Sequence, residues 1–215
     1  MNLLCNAQSI QYLYKMEIER VPISVYAEMT PNPAVMKFVS NKRMIELEHV
    51  EYHNIEEASN SPLAIKLFHF PFVKEVFISS NFVAVQKYNV VEWETVTQEI
   101  RELVLEFLQS GQAVMKFDQL HEVKKTADAA TPEENPTELS EIEGRIVDLL
   151  EEYVKPAVQQ DGGNISFVSY ENKIVKVQLQ GACSGCPSST LTLQSGIKSI
   201  LQRMLPTLIE DVVPV

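Results

Sequence analysis

Between residues 17 and 118 the apolar positions follow two rhythms. VPISVYAEM (from Val21), MKFVS and RMIELEHVEY have the apolar and β-branched content of strands. TPNP at 30–33 separates the first from the second, because each proline pushes the residue before it out of the helical region. SPLAIKLFHF predicts a short helix with Ser61 as N-cap and Pro62 at its first position. VKEVFIS and FVAVQKY flank Ser80-Asn81 as a hairpin, and Val96, Ile100, Leu103, Val104 and Phe107 share one face of a helix that stops near Gly111.

The rear of the chain, 138–215, is patterned more regularly. Ser140 and Glu143 predict a capping box, and Ile142, Ile146, Leu149, Leu150 and Tyr153 form the apolar face of a helix running to Lys155-Pro156. QQDGGN at 159–164 is a turn. ISFVSY and KIVKVQLQ alternate around Glu171-Asn172 as a hairpin, with Val175, Val177 and Leu179 on one face. GACSGCPSST follows, and Leu193, Ile197, Ile200, Leu201 and Met204 give a last amphipathic helix ending at Pro206. Between the two patterned regions, residues 121–143 hold seven acids against two lysines, two prolines and no aromatic residue. Such a segment cannot bury enough apolar surface to offset its ordering entropy. The fold class is therefore α+β: two small α+β domains (17–118 and 138–215) joined by an acidic flexible linker (119–137), without internal repeats.

Composition narrows the function. The 215 residues are 45% hydrophobic and 22% charged, with formal net charge −11. That sign disfavours nucleic acid and anionic membranes. No stretch approaches the roughly 18 apolar residues that cross a bilayer. Lys15 is the only basic residue among the first fifteen, which match neither a secretory signal nor an Arg-rich transit peptide. The three cysteines (Cys5, Cys183, Cys186) are too few for a secreted disulfide framework. Together these predict a cytoplasmic protein.

Two of the cysteines form a C-x-x-C between a strand end and a helix start. Pro187, Ser188 and Ser189 suit a first helical turn, whose free amides and dipole favour thiolate. Four chemistries fit. Inert buried thiols sit poorly with the polar, glycine-bearing rim. A thioredoxin-like dithiol oxidoreductase normally follows a parallel βαβ unit and an aromatic residue, where this chain has an antiparallel hairpin and Ala182. Structural zinc and iron–sulfur clusters both take four tetrahedral ligands, of which this motif supplies two. The four histidines (His49, His53, His69, His121) lie in the front region or the linker, so a homodimer is the simplest route to four sulfurs. A bridged site opens when the subunits part, which suits a cargo more than a structural zinc.

Lys155-Pro156, Asp161-Gly162-Gly163 and the loop from Gly181 through Cys183, Cys186 and Pro187 to Ser189 resemble, in order and distance, the NifU C-terminal (NFU-type) domain across about 138–206. Lys155 stands where the family commonly has arginine. TPNP, then Lys37-Phe38, the SPLAIKLFHFPFVKEVFISSNFVAVQK run and Trp93 resemble the NFU N-terminal domain across about 21–110. The resemblance implies a scaffold or carrier, not an enzyme. It would hold a [4Fe–4S] cluster, with [2Fe–2S] as the alternative form, between Cys183 and Cys186 of two subunits. Apo iron–sulfur proteins would be the acceptors and cluster-assembly machinery the donor, with the front domain selecting among them. A dithiol oxidoreductase and a zinc-bridged dimer remain the alternatives. Cys5 is read as a free thiol in a tail, Asp161 as a turn residue, and Trp93 with Phe68, Phe70, Phe72 and Phe77 as core.

Overall fold

The computed structural model describes residues 21–116, 140–184 and 187–215, with side chains except at 187–190. The acidic segment at 119–137, Cys5 and His121 lie outside the described residues. Two α+β domains result, each with its own core.

The front domain is a five-stranded antiparallel sheet of β1 (Val25–Met29), β2 (Val35–Ser40), β3 (His49–Tyr52), β4 (Val73–Ser79) and β5 (Phe82–Lys87), in the order β1-β2-β5-β4-β3. Helices α1 (Pro62–Phe68) and α2 (Trp93–Gln109) cover one face. Phe38, Val76, Ile78, Val83 and Val85 from the sheet meet Leu63, Leu67, Ile100, Val104 and Phe107 there. The Ser61 hydroxyl accepts from the Ala64 amide (3.2 Å) and donates to Val114 O (2.8 Å), so one side chain caps α1 and ties down the segment beyond α2. Trp93 packs partly buried on this core and donates from Nε1 to Pro33 O (3.0 Å).

The expected strand over 43–52 shortens to His49–Tyr52. Arg43 turns its guanidinium onto Ile45 O (2.9 Å) and Glu46 O (3.2 Å), and the Met44 amide bonds Ser80 O (2.6 Å). These bonds hold Met44 and Ile45 as a buried plug in a loop, although their apolar character reads as strand.

In the rear domain, β6 (Gly163–Glu171) and β7 (Ile174–Gly181) pair antiparallel. Asn172 and Lys173 make the turn with φ of 51° and 65°, one residue later than the sequence pattern suggests. β8 (Asp211–Pro214), not anticipated, joins β7 in parallel. Helix α3 (Glu141–Leu149) begins on the expected Ser140/Glu143 capping box. It does not end at Lys155-Pro156. The chain widens through one π turn (Leu150–Val154) and continues as α4 (Lys155–Gln160). Pro156 has no N–H and its ring would strike the carbonyl four residues back. The Lys155 amide instead reaches Leu150 O, five residues back, and the wider turn lets the helix pass the proline. The extra residue rotates the buried stripe to Ile146, Leu150, Val154 and Val158 and leaves Tyr153 exposed. Helix α5 (Pro187–Met204) closes the core with Ile197 and Leu201.

Tyr52 donates to Asn60 Oδ1 (2.8 Å) in the front core, and burial pushes its phenol up to about 12. We expect Tyr52→Phe to lose about 1–3 kcal/mol in urea unfolding, because a buried acceptor is left unpaired. A raised folded pKa means the neutral phenol stabilises the fold up to about pH 10, and that contribution is lost as pH rises toward 12. The phenylalanine variant should lack this alkaline limb.

Candidate functional site

The site is built where the β6–β7 hairpin closes. Gly163 opens β6, Gly181 ends β7, and the two are paired. Gly181 takes φ +64°, and a Cβ there would stand 2.7 Å from Gly162 O and 3.0 Å from the Phe77 ring. A Cβ on Gly163 would stand 2.5 Å from Gln180 O and 2.8 Å from Cys183 Sγ. The sulfur of Cys183 therefore occupies space that any side chain at 163 would claim. The Ala182 amide donates to Gly162 O (3.2 Å), and the Ser184 amide and hydroxyl donate to Gly181 O (3.0 and 2.8 Å). The DGG turn and the thiol loop are thus one hydrogen-bonded unit.

Cys183 is 6% exposed and belongs to the rear core. Its thiol is pushed up to about 12, first by burial and second by the Asp161 carboxylate. Burial thus opposes the thiolate that a helix start favours. Asp161, read as a turn residue, ends α4 and also acts electrostatically on this thiol. Cys186 lies outside the described residues; α5 begins one residue after it. Among the described residues, no group of three or more His, Cys, Asp or Glu side chains is arranged to hold a metal. The described donor set toward a cluster is Cys183 in its glycine cradle.

Sequence reasoning missed the residues that meet this unit from the front domain. Asn32 Nδ2 donates to Ala182 O (3.2 Å), Lys37 Nζ to Gln160 O (2.9 Å), and the Gly181 amide donates to Glu51 Oε1 (2.8 Å). Burial pushes the Glu51 carboxyl above the ordinary carboxylate range, while the Gly181 amide pulls it back. His49 stacks on Phe77 at 5.6 Å with its imidazole held below the ordinary value by burial, and its Nε2 lies 3.5 Å from Asn164 Nδ2. Lys155, the departure from the family arginine, pairs with Glu48 of the front domain and with Glu151. Phe77 is core as expected, buried in a cluster on the sheet face that meets Ala182 of the loop. The available signal was the FVAVQ run, which is apolar at consecutive positions and so on both sheet faces.

The chain matches two family models: the scaffold protein Nfu/NifU N-terminal model over residues 25–111 and the NifU-like domain over 146–212. NifU-like protein 4, mitochondrial, of Arabidopsis thaliana is 38% identical over 187 residues, which is 86% of this chain and 64% of that protein. The NFU1 iron-sulfur cluster scaffold homolog, mitochondrial, of Drosophila willistoni is 34% identical over 183 residues, 85% of this chain and 60% of that protein. The chain thus spans somewhat under two thirds of the length of these relatives. The solution structure of a NifU-like protein from Saccharomyces cerevisiae covers 44% of this chain and 86% of its own, at 25% identity and TM-score 0.40. The relatives are named mitochondrial, which overturns the expected cytoplasmic home. A low cysteine count reports a reducing compartment and does not say which one.

Gly163→Ala should destabilise the rear domain by about 1–3 kcal/mol, since backbone and sulfur must both move, and should shift the Cys183 resonances. In the apo protein Cys183 should titrate well above the ordinary thiol value of 9.0. The neutral thiol then stabilises the fold below pH 9 and loses that contribution as pH rises toward 12. Asp161→Asn should lower this titration only in part, because burial is the larger cause; alkylation rate against pH measures both.

Proposed function

The chain belongs to the Nfu/NifU scaffold family, and from that premise we propose that it carries an iron–sulfur cluster between two copies of itself and hands it to apo iron–sulfur proteins. On this reading it is a carrier and not an enzyme. Cys183 and Cys186 of each copy ligate one [4Fe–4S] cargo as thiolates, and the assembly machinery upstream supplies it. The names of its relatives give such scaffolds a mitochondrial home, which we assign to this chain as well.

The observation that carries the reading is the seat of Cys183: a sulfur held against Gly163 on a loop whose sequence brings two cysteines and, among the described residues, no third or fourth ligand. Two sulfurs satisfy half of a tetrahedral set. Transfer is then thiolate exchange. An acceptor cysteine gives up its proton and binds iron, and Cys183 leaves and takes a proton up. The burial that keeps the Cys183 thiol neutral favours that protonated, departed state.

Anaerobic reconstitution with iron and sulfide tests the proposal. We expect a broad thiolate-to-iron absorbance and a native mass of two chains per cluster, with both signals lost in Cys183→Ala and in Cys186→Ala. A colourless dimer holding one zinc would establish the structural alternative. A full cluster on a single chain would end the bridged reading.

A further inference from the structure

A single antiparallel sheet with helices on one side ordinarily leaves its other face wet and polar. The front sheet does not. β2 is buried at all six positions. On the face away from α1 and α2, Val35, Val39, Phe77, Phe82 and Ala84 close around a residue of the other domain, Ala182, next to Cys183. Three polar ties surround this apolar contact, each between a front-domain side chain and backbone of the rear domain's turn or loop. They are Asn32 to Ala182 O, Lys37 to Gln160 O, and Glu51 from the Gly181 amide. Lys37 is only 7% exposed and also pairs with Glu28 at 2.9 Å. A buried charge without partners is costly, so these side chains are matched to the loop that covers them.

We propose that the outer sheet face of the front domain is a docking surface for this chain's own thiol loop, and that the docked state is autoinhibited: the loop must leave the sheet before two copies can share a cargo. The sheet covers the loop at Ala182, the residue next to Cys183. The Gly181 N–H, two residues before Cys183, is given to the Glu51 carboxylate. A carboxylate held beside the loop disfavours an anionic cargo there. The contact is a five-residue apolar patch, a few hydrogen bonds and the Lys155–Glu48 ion pair, the mixed apolar and polar kind of domain contact that opens and closes. The consequence for loading rests on the scaffold reading; the docking does not.

The test begins with the full-length apo chain, free of metal. Amide hydrogen exchange at Gly181 and alkylation of Cys183 by an uncharged maleimide are compared in the wild type, Asn32→Asp and Glu51→Ala. Asn32→Asp keeps the oxygen that accepts from the Ala34 amide (3.0 Å) and so keeps the turn, but it turns an acceptor toward Ala182 O. Both rates should rise about tenfold, the effect of losing one hydrogen bond, while exchange in the Tyr52–Asn60 region stays unchanged. Unchanged rates in Glu51→Ala, or wild-type Cys183 as reactive as in the urea-unfolded chain, would overturn the docking. Should Asn32→Asp not fold, Glu51→Ala decides alone. Anaerobic cluster loading of the same proteins should be faster in the variants. Faster exchange with unchanged loading would overturn the autoinhibition, whereas protection of Gly181 in a chain that takes up no cluster would support docking and sink the scaffold reading.

Discussion

How closely two backbones approach at the mouth of one hairpin sets the rest of the rear domain's chemistry. Gly163 and Gly181 are paired, and neither position has room for a side chain: at 163 the Gln180 carbonyl and the Cys183 sulfur stand where a Cβ would be. The β6–β7 ladder therefore does more than build a sheet. Its last pair fixes where Cys183 leaves the strand, and the Ala182-to-Gly162 bond fixes the direction in which the loop leaves. Helix packing reaches the same point from the other side, because Val158 on α4 and Ile197 on α5 belong to the core that receives the sulfur. The π turn serves that arrangement. Without it, Pro156 would end the helix before α4 could carry Val158 to the core and Gln160 to the turn.

Most of the fold was legible because its signals are local. The Ser80-Asn81 hairpin, the Ser61 cap with Pro62 and the Ser140/Glu143 box depend on residues within a few positions of each other, and each appears where the sequence puts it. What escaped reading was non-local. β8 is four residues whose strand character comes from pairing in parallel with β7, more than thirty positions earlier. Residues 43–48 read as strand because Met44 and Ile45 are apolar, yet the bonds that hold them in a loop come from Arg43 and Ser80. Tyr153 was placed on the buried face by extending a period of 3.6 through a turn that is not α-helical.

The site divides the same way. Cys183, the glycines and the turn stand out in sequence because spacing alone brings them together. The protonation state of Cys183 does not, since local signs favoured thiolate while burial, which opposes it, comes from a core assembled across the whole rear domain. Asn32 looked like turn chemistry, and its Oδ1 does accept from the Ala34 amide; its Nδ2, aimed at Ala182 O across the domain boundary, has no sequence mark. The acidic stretch at 119–137 suggested independent domains, and that composition drew attention away from a front sheet that is apolar on both sides.

Burial of the thiol and cover by the sheet act in the same direction. A cysteine must be charged to ligate iron, and a charged sulfur is disfavoured wherever water is excluded without a compensating partner. In the docked arrangement both conditions oppose ligation: the core holds Cys183 neutral and Glu51 occupies the Gly181 amide. On the carrier reading, the empty loop is thus closed and neutral, and the loaded loop is open and anionic. Each step toward one state removes support for the other. A carrier needs this coupling more than it needs affinity, because a cluster held too firmly is never delivered, and an emptied thiol pair left exposed invites the wrong metal or an oxidant. On that reading, a sulfur withdrawn into the rear core, on a loop whose Ala182 packs against the front sheet, meets both requirements with no residue beyond those that build the two domains.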